Sequence, residues 1–100
     1  MKDILKLHFN NGNTVSLVET SKTEYSSYGF SRIKTYRMFF LIGGSMSFSE
    51  VRDFSTIDEA LHVFNSIMQK AQQDNIANEL IDYRDNTIIN LRTKTIRKFN

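Results

Sequence analysis

The sequence predicts an α+β domain: an antiparallel sheet of four to six strands in β-β-β-β-α-β order, with one main amphipathic helix packed on one face. Three patterns carry that expectation. Leu5, Leu7 and Phe9 alternate with Lys6 and His8, the period-2 signature of a half-buried strand, and Asn10-Asn11-Gly12-Asn13 follows. A run at residues 32–42, rich in aromatic and branched side chains, ends at Gly43-Gly44. Ile57, Ala60, Leu61, Phe64, Ile67, Met68 and Ala71 recur at helical spacing.

Asn-Gly accepts the positive φ of a type I′ turn, so residues 5–9 are expected to pair with residues 14–19 through a tight hairpin, Val15 and Leu17 sharing one face. Residues 20–31 are polar apart from Tyr25, Tyr28 and Phe30, with Gly29 as the lone breaker. Two structures fit them: a long exposed continuation of the strands, or a loop of about a dozen residues, a length often tied to function. In the next strand Ile33, Phe39 and Leu41 share one face and Tyr36, Met38, Phe40 and Ile42 the other. Its second half is apolar on both sides, which suits a central strand covered twice. After the Gly43-Gly44 turn, residues 45–54 are expected to pair back, Met46 and Phe48 inward and Ser47 and Ser49 outward.

Thr56-Ile57-Asp58-Glu59 is a capping box opening the helix, with Thr56 as cap and Glu59 reaching back. Asn75 and Asn78 break the phase of the apolar stripe, so the helix bends or stops near them. Ile76, Leu80 and Ile81 fit either another helical turn or a new strand. Arg84-Asp85-Asn86 reads as a turn, residues 87–91 as a strand, and residues 93–99 alternate again.

One hundred residues, 40% of them hydrophobic and 12% aromatic, suffice for one folded domain spanning 1–100 and not for two. Cysteine is absent, which removes disulfides, thiolate metal sites and cysteine nucleophiles, and favours a reducing compartment. Met1-Lys2-Asp3-Ile4-Leu5 does not resemble a signal peptide, and the apolar run at residues 38–42 is too short to span a bilayer. The expectation is a cytoplasmic protein with no membrane contact.

Charge is uneven. Residues 1–83 hold 8 basic and 10 acidic side chains, whereas residues 84–100 hold Arg84, Arg92, Lys94, Arg97 and Lys98 against Asp85 alone. A cationic end of this kind can steer an anionic partner.

Catalytic chemistry finds little to work with. The only imidazoles, His8 and His62, fall on polar flanks, and neither stands at ligand spacing from another histidine. Asp58 and Glu59 occupy a first helical turn, where the helix dipole already favours negative charge. Gly43-Gly44 lacks the Gly-Lys-Ser/Thr of a phosphate loop. The expectation is therefore a non-enzymatic protein, without metal or cofactor.

Two features suit binding. Tyr25, Tyr28, Phe30, Arg32, Lys34 and Tyr36 combine rings with cations, and on a strand Arg32, Lys34 and Tyr36 project to the same side. Such a surface suits aromatic and arginine anchors on a protein partner, or stacking on single-stranded bases. Arg92, Lys94, Arg97 and Lys98 could face phosphates, although basic edge strands also guard sheets against aggregation. The first reading is a protein-binding factor of the kind encoded by phages and mobile elements. It would occupy a host protein, such as a nuclease or defence complex, in the manner of an anti-CRISPR inhibitor. The absence of Pro and Trp and the abundance of Ile, Asn, Lys, Phe and Ser, a composition typical of A+T-rich coding, motivate that source by association. The second reading is a nucleic-acid-binding accessory protein using the basic-aromatic strand and the basic end. A homodimer formed through a sheet edge is compatible with both.

Overall fold

Eight elements follow one another along the chain: β1 (Lys2–Phe9), β2 (Thr14–Ser26), β3 (Gly29–Leu41), β4 (Phe48–Phe54), α1 (Ile57–Gln73), β5 (Ala77–Asp82), β6 (Thr87–Asn90) and β7 (Thr95–Lys98). The computed structural model describes residues 1–43 and 48–99, without the side chains of 48 and 49. The expected Gly43-Gly44 turn, and the facing of Met46, Ser47, Phe48 and Ser49, therefore fall wholly or partly outside the described residues. The strands form one antiparallel sheet in the order β4-β3-β2-β1-β5-β6-β7, and α1 carries the chain from the β4 edge back to the far side of β1. The α+β class and the helix-covered sheet are as the sequence predicts. The described strands number seven, one above the expected range, because the ambiguous Ile76–Ile81 region is extended: Leu80 pairs with Leu7 and Ile81 with Lys6.

The core is set by alternation. Leu5 and Leu7 on β1, Val15 and Leu17 on β2, Met38 on β3 and Leu80 on β5 all face the helix and are buried. Ala60, Phe64 and Ala71 meet them from α1, and Ile57, Leu61, Ile67 and Met68 pack around the margin. Phe64, Leu7, Leu17 and Met38 are the largest side chains that are completely enclosed.

Both helix ends are closed by side chains or local turns. Thr56 Oγ1 accepts from Glu59 N–H at 3.2 Å, and Glu59 Oε1 lies 3.3 Å from the Thr56 hydroxyl, so the acid reaches the cap through its side chain. At the other end Asn75 adopts φ +55°, Asn75 N–H donates to Gln72 O and Ile76 N–H to Ala71 O. That pair of bonds is a Schellman motif, with asparagine where glycine is usual. Asn10 then ties this end to the β1–β2 turn, donating from its backbone to Ile76 O at 2.8 Å and from Nδ2 to Asn75 O at 3.0 Å.

Two expectations need correction. The first turn is not type I′, since only Gly12, at φ +90°, is left-handed there. Gly12 N–H donates to Phe9 O and Phe9 N–H to Asn13 O, giving a three-residue loop closed by a glycine bulge. Its compactness lets Gly43 dock on it: a Cβ on Gly43 would stand 2.6 Å from the Gly12 carbonyl carbon, and Asn13 Oδ1 accepts from Gly43 N–H at 2.8 Å. Nor, among the described residues, is β3 covered by a helix on both faces, although it is an interior strand. It lies one strand in from the β4 edge, and the helix covers only its Met38 side, leaving Phe39 and Leu41 half-buried on the other.

Phe64→Ala is expected to lower the unfolding free energy by about 3–5 kcal/mol, the cost of emptying an aromatic site that its neighbours cannot close. Urea denaturation checks this. A loss under 1 kcal/mol would mean that the helix does not rest on Leu7, Leu17 and Met38.

Candidate partner-binding surface

The long β2–β3 hairpin outruns its neighbours. β1 pairs with β2 only as far as Lys2↔Glu19, and β4 pairs with β3 only as far as Phe54↔Tyr36. Beyond those points seven cross-strand pairs, Thr20↔Thr35 to Ser26↔Gly29, continue as a two-stranded ribbon. At about 3.3 Å per residue the arm extends roughly 20 Å. It accounts for a molecule measuring 54 × 28 × 22 Å, and for a radius of gyration of 15.3 Å where a compact chain of this length has about 13 Å. Of the two structures the sequence allowed for residues 20–31, the extended one is present. Its turn is Ser27-Tyr28, closed by Gly29 at φ +122° and by the Ser26 hydroxyl accepting from Tyr28 N–H.

Because the arm continues the register of the core, its two faces are already assigned. Val15, Leu17, Glu19, Ser21, Thr23 and Tyr25 lie on the helix side of β2, opposite Phe40, Met38, Tyr36, Lys34, Arg32 and Phe30 of β3. Five of the six residues expected to bind a partner, all but Tyr28 at the turn, thus fall on one face. The Tyr25 and Phe30 rings meet at 6.2 Å, tilted by 51°. Tyr25, Tyr28 and Phe30 are 81%, 99% and 71% exposed. Tyr36 departs from the group: at the arm's root it packs against the core.

The charges of the arm are few and largely matched. Lys34 Nζ lies 3.7 Å from Glu19 on the helix side, and Lys22 lies 3.5 Å from Glu24 on the opposite face. Among the described residues Arg32 has no ion-pair partner. Where the arm leaves the sheet, its helix side opens into a recess of about 350 Å³ lined by Lys2, Glu19, Thr20, Ser21 and Lys34. A second recess of about 300 Å³ shares Lys2 and Glu19 and reaches Ile57, Tyr83 and Arg84. Sequence reading missed Lys2, Glu19 and Arg84 as neighbours of the arm. Lys2 and Glu19 could have been found by counting back from the Gly12 turn, whereas Arg84 arrives through β5 with no local signal.

The basic end does not form one surface. Arg92 and Lys94 sit in the β6–β7 turn, where Lys94 adopts φ +61°. On β7, Arg97 faces away from the helix, across from Ile88 and 3.9 Å from Glu79, while the adjacent Lys98 projects to the helix side. β7 is a short, fully exposed edge strand, and Arg97 and Lys98 point to opposite faces of it. Five strand spacings separate it from β3, about 24 Å.

Elsewhere, His8 is half-buried on the face away from the helix, across from Glu79, and His62 is exposed on α1. Among the described residues, no three His, Asp or Glu side chains converge so as to hold a metal ion, and no helix is long and apolar enough to cross a membrane. Compared with known protein families, curated proteins and solved structures, the chain matches none.

One buried charge stands beside the recess. Asp82 ends β5, almost enclosed; Arg84 Nε and an Arg84 terminal nitrogen donate to its two oxygens at 3.0 and 2.9 Å, and Arg84 N–H adds a third bond. Burial pushes the carboxyl up, but the side-chain and backbone hydrogen bonds from Arg84 and its charge outweigh it and hold the group below its ordinary range. On acidification the unfolded state takes up this proton first. The contribution to stability is therefore complete above the unfolded value near 3.8 and is lost as pH falls through the folded value. Asp82→Asn is expected to destabilise by about 1–2 kcal/mol at pH 7. The deficit relative to the wild-type chain should shrink as pH falls below the unfolded value near 3.8 and through the folded one; thermal melts of both proteins from neutral to strongly acidic pH check this, and a pH-independent deficit would contradict it.

Proposed function

We propose that this chain is a binding protein whose contact element is the β2–β3 arm, and that it acts by occupying a partner protein. The observation that carries the reading is the group of Tyr25, Tyr28 and Phe30 at the end of a ribbon that no other strand supports among the described residues. A two-stranded ribbon is marginal on its own, and three exposed rings at its end do nothing for the core. Aromatic side chains of this kind are the usual anchors of protein interfaces, offering large area for little lost rotamer freedom. The cations on the arm also guard its two unpaired edges against aggregation, a role that explains Lys22 and Arg32 but not the rings.

The narrower reading is an inhibitor carried by a phage or mobile element that blocks a host nuclease or defence complex. A composition typical of A+T-rich coding supports it by association. Direct nucleic-acid binding is the less favoured alternative. Specific phosphate-driven binding draws on about 6–10 contacts, and the arm supplies only Arg32, Lys34 and Lys22, two of them already facing acids. The basic residues of the β6–β7 hairpin are divided between two faces and a turn.

Site-specific photo-crosslinking tests the reading. A benzophenone amino acid at Tyr28 is expected to join the chain to one discrete protein in nuclease-treated host lysate, while the same group at Asn65 on the exposed side of α1 does not. The triple variant Tyr25→Ala/Tyr28→Ala/Phe30→Ala should lose that partner from a pull-down while keeping its melting temperature within about 3 °C, because these side chains lie outside the core. Retention of the partner by the triple variant would remove the arm from the interface.

A further inference from the structure

We infer that the helix-side face of the arm receives an extended, acidic segment of the partner protein, seated from the Tyr25–Phe30 ring pair to the recess at Lys2. The inference rests on the arm being the contact element, and adds the chemistry of what it contacts. Its basis is a spacing and a charge pattern on one face. Phe30, Arg32, Lys34 and Tyr36 follow one another at alternate positions of a single strand, so their side chains repeat at about 6.8 Å. An extended polypeptide has the same repeat. Laid along the arm, it presents alternate side chains to the ring pair, to Arg32 and to Lys34 in turn. The ring pair offers an apolar seat, and the two cations call for carboxylates.

Charge supports an acidic occupant over a second copy of this chain. The arm's helix-side face holds Arg32 and Lys34 against Glu19, and Lys2 adds another cation at the recess without an ion-pair partner among the described residues. Two such faces brought together would oppose like charges. The contact between Lys34 and Glu19 is long, and the Lys34 ammonium is exposed although Glu19 is half-buried; a pair open to water on one side is worth about 1 kcal/mol or less. Lys34 can therefore exchange Glu19 for an incoming carboxylate at small cost. The opposite face of the arm carries Lys22 matched to Glu24, with Ile33 as its apolar member, and offers no comparable imbalance. Nucleic acid shares the negative charge, but Glu19 sits within the row and the unmatched cations are too few for a phosphate track.

The test uses the full chain as target for a displayed library of random 12-residue peptides. Enriched peptides are expected to carry a net charge of −2 or lower, with at least one aromatic or aliphatic residue. Their enrichment should fall at least tenfold against Arg32→Glu/Lys34→Glu and against Tyr25→Ala/Phe30→Ala, and change less than twofold against Lys22→Glu on the other face. Circular dichroism melts confirm that each variant is folded. Neutral or basic peptides that still need Tyr25 and Phe30 would overturn the acidic segment while leaving the arm as contact element. Selection that ignores both double variants would overturn both. A dT20 oligonucleotide that binds the wild-type chain and is lost with Arg32→Glu/Lys34→Glu, with no peptide enriched, would overturn the inference in favour of nucleic acid.

Discussion

The enclosed core cluster that Phe64 of the helix shares with Leu7, Leu17 and Met38 of the sheet is the packing on which the rest of the molecule depends. It joins the only described helix to three adjacent strands, and all four side chains are wholly enclosed. In a strand, neighbouring side chains point to opposite faces, so fixing which residues meet the helix fixes the facing of every residue beyond them. The alternation that places Val15 and Leu17 under α1 also places Ser21, Thr23 and Tyr25 on the same side, about 13–26 Å beyond Leu17. The binding face of the arm is inherited from the core. A slip of one residue between β2 and the helix would bury Ser16 and turn the Tyr25 side of the ribbon over.

Stability and exposure are divided accordingly. The apolar material is concentrated where β1, β2 and β3 lie beneath α1, and the turn regions at that end are tied together by Asn10, Asn13, Gly12 and Gly43. Away from it, the arm depends on its own ladder, one ring contact and weak surface ion pairs. Such regions open with small free energies and are the ones most readily reshaped by a partner. Ordering the arm on binding would cost part of the contact energy, which is one reason rigid aromatic anchors suit its end. The β7 edge follows another logic, since its adjacent cations point to opposite faces and so blunt the open side of the sheet.

The elements whose signals are local were legible in the sequence. The helix from Thr56 to the Asn75 break, the first hairpin and the strand pattern of residues 32–42 all follow from periodicity, capping and turn residues a few positions apart. What could not be read was set by distant partners. The docking of Gly43 on the Gly12 turn joins residues far apart in the chain, which no local rule anticipates. Ala77–Asp82 is a strand because β1 offers it an edge and Leu80 fits beside Leu7, although its apolar spacing suits a helix equally. The facing of Arg32, Lys34 and Tyr36 came directly from alternation, but Tyr36 belongs to the core margin, because the helix and β4 reach that far along β3. Arg84 joins the surface through β5, whose pairing with β1 has no local signal, whereas Lys2 and Glu19 follow from the register of the first hairpin.

Residue-resolved hydrogen exchange under native conditions tests the central claim most directly. Amides of Leu7, Leu17 and Met38 should exchange only through global unfolding, and protection along β2 and β3 should fall steadily beyond Glu19 and Tyr36, reaching its lowest values beside Tyr25 and Phe30. Uniform protection from Leu17 to Tyr25, or rapid exchange at Leu7 and Met38, would contradict an exposed arm whose facing is imposed by a helix-anchored core.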